Sequence, residues 1–102
     1  MSRWADFVIT AVKYNTGHSH LVGAEIRTDT GTAISSDYRR VLRQEVISSI
    51  RGGTSFVTAY QQGGQWRKGE DVRVVNLHGE LFIRTDENAT KKDNLGSLPE
   101  YV

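Results

Sequence analysis

The chain has 102 residues, of which 37% are hydrophobic and 25% charged, with a net charge of +1 and no cysteine. These values predict one globular domain, residues 1–102, and exclude wholesale disorder and any disulfide or thiolate-metal framework. The longest apolar run is far shorter than the roughly 20 residues that a membrane-spanning helix needs, so we expect no membrane partner. The lack of cysteine fits a reducing cytoplasm, where we expect the protein to reside.

The first third of the chain predicts two strands. Residues from Phe7 to Val12 are apolar on both alternating faces, as in a central strand covered on both sides. In the next segment apolar side chains alternate with charged ones, Val22, Ala24 and Ile26 against Glu25 and Arg27. This pattern is typical of a half-buried strand, and the turn residues 28–31 end it.

Residues 37–51 admit two interpretations. Ser35-Ser36-Asp37 can cap a helix from Tyr38 to Arg51, with apolar side chains at four-residue spacing on one stripe. Alternatively, Tyr38 to Val41 is a short strand and only residues 43–51 are helical. Gly52-Gly53 ends the helix in both cases. We favour the shorter helix.

The second half predicts two hairpins. Phe56 to Gln61 is rich in β-branched and aromatic residues, and Gly63-Gly64 connects it to the next strand. His78-Gly79 can form a two-residue turn, because both residues tolerate a positive φ. That turn fixes a register in which Arg73 faces Arg84, Val74 faces Ile83 and Val75 faces Phe82.

Together these elements predict an α+β fold: a curved, mostly antiparallel sheet of five or six strands with one helix, about residues 43–51, packed on it. Residues 87–102 are expected to form an ordered tail. Apolar side chains recur along that tail, and we expect Leu95, Leu98 and Tyr101 to anchor it on the domain.

The opposed arginines are the first candidate site. Two guanidinium groups beside Phe82 could bind a carboxylate or phosphate, which predicts an anion site at Arg73, Arg84 and Phe82. Like charges directly opposite one another repel, so the alternative is neutralisation within the domain. The acidic residues available for that are Glu70, Asp71, Glu80, Asp86 and Asp93. A longer turn would shift the register and separate the pair.

Two further candidates are weaker. His18 and His20 would share one face of a strand and could bind a metal for a hydrolase, but no HExxH pattern or evident third ligand accompanies them. Basic and aromatic residues around the helix and hairpin could bind nucleic acid, namely Arg39, Arg40, Arg43, Trp66 and Arg67. The near-neutral net charge argues against that reading.

The chain lacks a cysteine nucleophile, a Gly-x-Ser-x-Gly elbow and glycine-rich phosphate-binding motifs. We therefore expect a non-catalytic binding module without a cofactor. Its partner would be another protein or a second copy of the chain, for example through pairing of sheet edges in a homodimer.

Several segments resemble a family of short bacterial and phage domains of unknown function. The closing segments carry the resemblance best, Phe82-Ile83-Arg84-Thr85-Asp86-x-Asn88 and Asp93-Asn94-Leu95-Gly96-x-Leu98-Pro99-Glu100-Tyr101. Where the family pattern has a capping Ser before its helix, this chain has Leu42, which cannot cap. The resemblance implies a small stand-alone domain in a bacterial or phage setting, where it could act as an accessory or host-interfering protein.

Overall fold

The computed structural model describes residues 3–17, 19–85, 93, 95 and 98–101. The elements follow one another as β1 Phe7–Tyr14, β2 Leu21–Thr28, β3 Arg39–Leu42, α1 Arg43–Arg51, β4 Phe56–Gln62, β5 Gln65–Asp71, β6 Arg73–Leu77 and β7 Glu80–Arg84. The α+β prediction is confirmed, and so is the choice of a short strand followed directly by a helix over residues 43–51. No helix in the described residues is long and apolar enough to cross a membrane.

The strands form a five-stranded sheet in the order β3-β2-β1-β4-β5 and a separate two-stranded sheet, β6-β7. Only β1 and β4 run parallel among these neighbours, because α1 lies between β3 and β4 in the chain and allows a crossover. The last hairpin does not extend the large sheet. Val72, between β5 and β6, is buried and donates its N–H to the Phe56 carbonyl at 3.0 Å, where the chain leaves the large sheet.

One face of the large sheet carries the main core. Val46 and Ile47 of α1 pack there against apolar side chains of β1, β2 and β3, and β6-β7 contributes Ile83. β1 lies third in the sheet and is buried from residue 8 to residue 12, as its continuous apolar run predicts. The opposite face is not covered by α1, and it holds the candidate site.

The hairpin register is confirmed. His78 and Gly79 have φ values of 54° and 85°, which both central residues of a type I′ turn require. Arg73 accordingly pairs with Arg84, and Val74 with Ile83.

The prediction for Val22 is wrong. Ala24 and Ile26 are buried as expected, but Val22 is 43% exposed. The register between β1 and β2 shifts at this point, so that Lys13 faces Gly23 while Tyr14 already faces Leu21. This bulge leaves Val22 unpaired and turns Leu21 into the core instead.

The end of the tail pairs with β1 at Val12, beyond the residues 7–9 that pair with β4. Val12 donates its N–H to the Pro99 carbonyl at 2.9 Å, and its carbonyl accepts the N–H of Tyr101 at 2.9 Å. Leu95 is 2% exposed and belongs to the main core.

An ion pair with a fully buried carboxylate joins the tail to three elements. Arg43, the first residue of α1, donates to both carboxylate oxygens of Asp93, at 2.7 and 3.2 Å. The same carboxylate accepts the backbone N–H groups of Leu21 and Ile83, at 2.7 and 2.8 Å. Because the Asp93 side chain is fully buried, these donors replace the water that an exposed carboxylate would have. Asp93 therefore holds the starts of β2 and α1 and strand β7 together.

Candidate functional site

The candidate site lies on the sheet face opposite α1. Since Ala24 and Ile26 point into the main core, their neighbours Glu25 and Arg27 project from this other face. Arg40 of β3 pairs with Glu25 in the register and projects on the same side.

Aromatic rings and guanidinium groups alternate across this face in what we call the arginine–aromatic ladder: Trp66, Arg27, Tyr38, Arg40 and Tyr101. The guanidinium carbon of Arg27 is 5.3 Å from the ring centroid of Trp66 and 5.1 Å from that of Tyr38. The corresponding carbon of Arg40 is 5.8 Å from Tyr38 and 4.2 Å from Tyr101. All four distances are within the range of cation–π attraction, about 6 Å.

The two arginines share one acidic partner. Glu25 lies 3.9 Å from Arg27 and 3.7 Å from Arg40, and it accepts a hydrogen bond from the Thr10 hydroxyl at 3.0 Å. Arg27 is held firmly, since it also donates to the carbonyls of Ser35 and Ser36. Arg40 is held by fewer contacts and its side chain is 48% exposed. It is therefore the ladder cation that is most accessible to a ligand.

The ladder continues along the edge strand as an exposed stripe. Tyr38, Arg40 and Leu42 alternate along the chain, and Tyr38 and Leu42 are 53% and 68% exposed. Leu42 is the N-cap residue of α1, with extended backbone and no side-chain cap, as the sequence predicted. The Leu42 side chain thus neither caps the helix nor fills the core.

Beside Trp66 the same face contains a cavity of about 300 Å³, which we call the tryptophan cavity. Its walls come from the N-terminal segment, the loop 29–34 and the β4–β5 turn: Trp4, Asp29, Thr32, Ala33, Ile34, Gly64, Gln65 and Trp66. Both tryptophans and Ile34 also pack against a second apolar cluster formed by Ala5, Val8, Val57 and Ala59. The cavity is at the small end of the range for ligand sites, about 300–1,000 Å³.

The predicted anion residues are neighbours in the structure but differ in exposure. Arg84 and Phe82 are 2% and 0% exposed, whereas Arg73 is exposed. The His20 ring packs on Phe82 with 5.5 Å between ring centroids. Asp93, one of the proposed neutralising residues, pairs with Arg43, and Asp86 lies outside the described residues. Anion binding by Arg73 and Arg84 stays a prediction.

The residues of the nucleic-acid alternative are not gathered on one surface. Arg39 and Arg40 project from opposite faces of β3, and Arg39 pairs with Glu45 at 3.0 Å. Arg43 is engaged in the ion pair with Asp93. Trp66 and Arg67 are consecutive in β5, so their side chains also point to opposite faces.

Of the two histidines of the proposed metal site, the structure describes only His20, because His18 lies outside the described residues. His20 contacts the Ser19 hydroxyl through Nδ1 at 3.0 Å, and Ser19 is in turn hydrogen-bonded to Asn15. In the part of the chain that the structure describes, no group of three or more His, Asp or Glu side chains is arranged to hold a metal.

The pKa values of two tyrosines are raised, that of Tyr101 in the tail and that of Tyr14, which contacts the tail. Burial raises the pKa of Tyr101, and the guanidinium of Arg40 partly offsets this effect. Burial also raises the pKa of Tyr14, whose hydroxyl accepts the N–H of Leu95 at 3.2 Å; the nearby charge of Asp93 adds to the increase. Both hydroxyls are therefore held in their neutral form to higher pH than in a free tyrosine.

From the sequence, no site role was assigned to several residues of the ladder and the cavity, namely Trp4, Glu25, Arg27, Asp29, Tyr38 and Tyr101. The sequence held a signal for three ladder residues: alternation places Arg27 on the outward face of its strand, and the short strand from Tyr38 to Val41 places Tyr38 and Arg40 on one face. To predict that these residues lie beside Trp66 and Tyr101, one would need to know the order of the strands in the sheet.

These features define a small α+β domain with an aromatic and cationic sheet face. The chain belongs to the family described as protein of unknown function (DUF3892), whose sequence model matches residues 8–99. Membership of a family of unknown function agrees with the resemblance seen in the sequence. No curated protein and no solved structure matches the chain.

Proposed function

We propose that this protein is a non-catalytic binding module that holds a protein partner on its arginine–aromatic ladder. The observation that carries the proposal is the alternation of exposed Tyr38, Arg40 and Leu42 on a sheet face without a covering helix. Aromatic residues and arginine are enriched among the residues that dominate protein interfaces, because they combine large apolar area with directional hydrogen bonds.

The charge of the ladder indicates the chemistry of the partner. Two guanidinium groups share the single carboxylate of Glu25, which leaves an excess of positive charge on the ladder itself. Arg40 has donors for a further carboxylate while its planar group stacks on Tyr101. A partner that presents an Asp or Glu side chain next to apolar groups would match both the charge and the exposed rings.

Strand pairing at the β5 edge of the sheet is a less favourable way to bind. β5 is an edge strand, but it carries charged side chains and a bulge where its register with β4 shifts between Val57 and Ala59. A Cβ atom at Gly69 would overlap the Thr58 hydroxyl at this bulge, so the local geometry depends on glycine. Bulges and charges at edges discourage strand addition.

The test compares neighbouring arginines that project from opposite faces. Tagged wild-type protein, Arg40→Glu and the matched control Arg39→Glu are each incubated with bacterial lysate, and the bound proteins are quantified by mass spectrometry. We expect one partner to be retained by the wild type and by Arg39→Glu but lost with Arg40→Glu. Retention should also weaken with salt, because exposed charge pairs are screened.

Light scattering of the purified protein is the companion measurement. A dimer that dissociates with Arg40→Glu but not with Arg39→Glu would identify the partner as a second copy of the chain. Equal effects of the two substitutions, or a monomeric wild type that retains no protein specifically, would refute the proposal. In a bacterial or phage setting, the role would be that of an accessory or host-interfering protein.

A further inference from the structure

The tryptophan cavity combines aromatic walls with a buried negative charge. We propose that it binds a small organic cation with an alkylated ammonium head group, such as trimethylammonium. This site is separate from the exposed stripe of Tyr38, Arg40 and Leu42, and the proposal does not depend on the ladder binding a protein.

The aromatic walls supply the first argument. Both tryptophans of the chain, Trp4 and Trp66, line the cavity. The negative face of an indole ring attracts cations more strongly than the other aromatic side chains do, and cages of such rings are the usual receptors for quaternary ammonium groups. Trp66 already attracts one cation in this structure, the guanidinium of Arg27.

The charge of Asp29 supplies the second argument. This residue lies in the cavity wall and is 4% exposed. Its carboxylate accepts the backbone N–H groups of Trp4 and Gly31, at 2.6 and 2.9 Å, but forms no ion pair with any described Lys or Arg residue. A buried charge without an opposite charge is costly, so a bound cation would lower the free energy of the site.

The charged neighbours do not supply that cation. Arg3 pairs with Asp6 at 2.8 Å, and Arg27 is engaged by Glu25 and by the carbonyls of residues 35 and 36. Arg27 does not line the cavity, but its guanidinium carbon is 5.3 Å from the Trp66 ring centroid, so its charge lowers the affinity for a cation somewhat. Asp29, in contrast, is part of the cavity wall, and because the Coulomb energy falls with distance its attraction has the larger effect on a cation bound there.

One wall of the cavity is held in place by hydrogen bonds within the loop 29–34. The loop from Asp29 to Ile34 is closed by a bridge between its ends. The Thr30 hydroxyl accepts the N–H of Ala33 at 3.2 Å, and the Thr30 N–H donates to the Ala33 carbonyl at 3.0 Å. A preformed wall reduces the entropy lost on binding.

The apolar part of the cavity wall is the reason why we propose an alkylated cation. Ala33, Ile34 and the indole rings cannot replace the water around a sodium or primary ammonium ion, whose hydration is strong. Methyl groups on nitrogen spread the charge over an apolar surface that fits these side chains.

The main test uses the wild-type protein and matched small molecules. Choline chloride, tetramethylammonium chloride and sodium chloride are titrated at constant ionic strength, and tryptophan fluorescence and indole N–H resonances are recorded. The key control is the neutral analogue of choline, in which carbon replaces the quaternary nitrogen. We expect saturable binding of both quaternary ions, with the neutral analogue weaker by about tenfold or more. Vesicles of phosphatidylcholine form a further arm, because their binding would show that a lipid head group can reach the cavity.

Two pairs of variants locate the site without disturbing Asp29. Trp66→Phe should retain most of the affinity, whereas Trp66→Leu should lose about tenfold or more, because leucine has no π face. Thr32 is exposed at the rim, so Thr32→Lys should weaken cation binding several-fold through repulsion while Thr32→Gln leaves it unchanged. Circular dichroism checks that every variant is folded.

Equal affinity for choline and its neutral analogue would overturn the proposal, and so would indole signals that do not change with either quaternary ion. Binding that Trp66→Leu and Thr32→Lys leave unchanged would place the ligand elsewhere and would also overturn it. None of these outcomes affects retention of a protein partner in the Arg39 and Arg40 experiment, so the two proposals can fail separately.

Discussion

Leu42 allows a sharp test of how the helix begins. Its backbone, with φ −81° and ψ 156°, has the extended conformation of an N-cap residue, but its side chain cannot accept a hydrogen bond from the first turn. Leu42→Thr introduces a hydroxyl that can accept the N–H of Gln44 or Glu45. Leu42→Val is the matched control, since valine has the same shape and β-branching without the hydroxyl.

The expected difference can be worked out from the structure. Leu42 is 68% exposed, so both variants lose a similar and small amount of buried apolar surface. Full burial of a leucine contributes about 1.5–3 kcal/mol, and a third of that is about 0.5–1 kcal/mol. A threonine cap is worth about 1 kcal/mol over a residue that does not cap. Glu45 could complete a capping box, but it pairs with Arg39 at 3.0 Å, and we assign it no further gain.

We therefore expect Leu42→Thr to be more stable than Leu42→Val by about 1 kcal/mol, and close to the wild type. Urea unfolding followed by circular dichroism measures this as a higher midpoint at an unchanged m-value. In a thermal scan the two variants should differ by about 4 °C or more. Equal midpoints would show that α1 does not begin at Arg43 in solution. Because both variants remove the exposed leucine, both should weaken the partner interaction equally.

Three other predictions concern the tail and its contacts. Asp93→Asn should lower the free energy of unfolding by about 2–4 kcal/mol, because it removes the negative partner of the part-buried Arg43 and places an amide NH2 group beside backbone N–H donors in a fully buried position; a loss below about 1 kcal/mol in urea would contradict the ion pair. Gly23→Ala would place a Cβ atom 2.7 Å from the Val41 carbonyl oxygen and 2.8 Å from the Tyr101 hydroxyl, so we expect a loss of about 1–3 kcal/mol. Gly17→Ala meets no atom within 4 Å and should be neutral; equal unfolding midpoints for the two alanine variants would refute the close contact. The pKa of Tyr14 is raised in the folded state, so its contribution to stability is present below pH 10.0, the ordinary value, and is lost as the pH rises through the folded pKa. Tyr14→Phe should make stability less dependent on pH in this alkaline range, measured by urea unfolding at several pH values, and an unchanged dependence would count against it.

The sequence predicted most of the local structure. Gly52-Gly53 ends α1, and the positive φ of His78 and Gly79 determines the register of the last hairpin. The sequence of residues 37–42 fits both a strand and the start of a helix, because the two periodicities cannot be told apart over so short a segment. Val22 was assigned wrongly, since alternation alone does not reveal a bulge.

The candidate site was much less predictable. Side-chain chemistry was enough to select Arg40 and Trp66 as candidates. The same criterion also selected three residues that do not lie on this face, Arg39, Arg43 and Arg67. The pairing of Arg27 with Trp66 joins strands β2 and β5, which β1 and β4 separate in the sheet. No pattern within one segment contains that information.

The sequence by itself determined the α+β class, the end of the helix at Gly52-Gly53, the turn at His78-Gly79 and the inability of Leu42 to cap. These features depend on backbone conformations and side-chain alternation within a few residues. Only the tertiary structure decided that Arg43 pairs with Asp93, 50 residues away, and that Trp4, Asp29 and Trp66 surround one cavity. The physical reason is that such contacts depend on the order β3-β2-β1-β4-β5 and on which face each side chain occupies after every bulge.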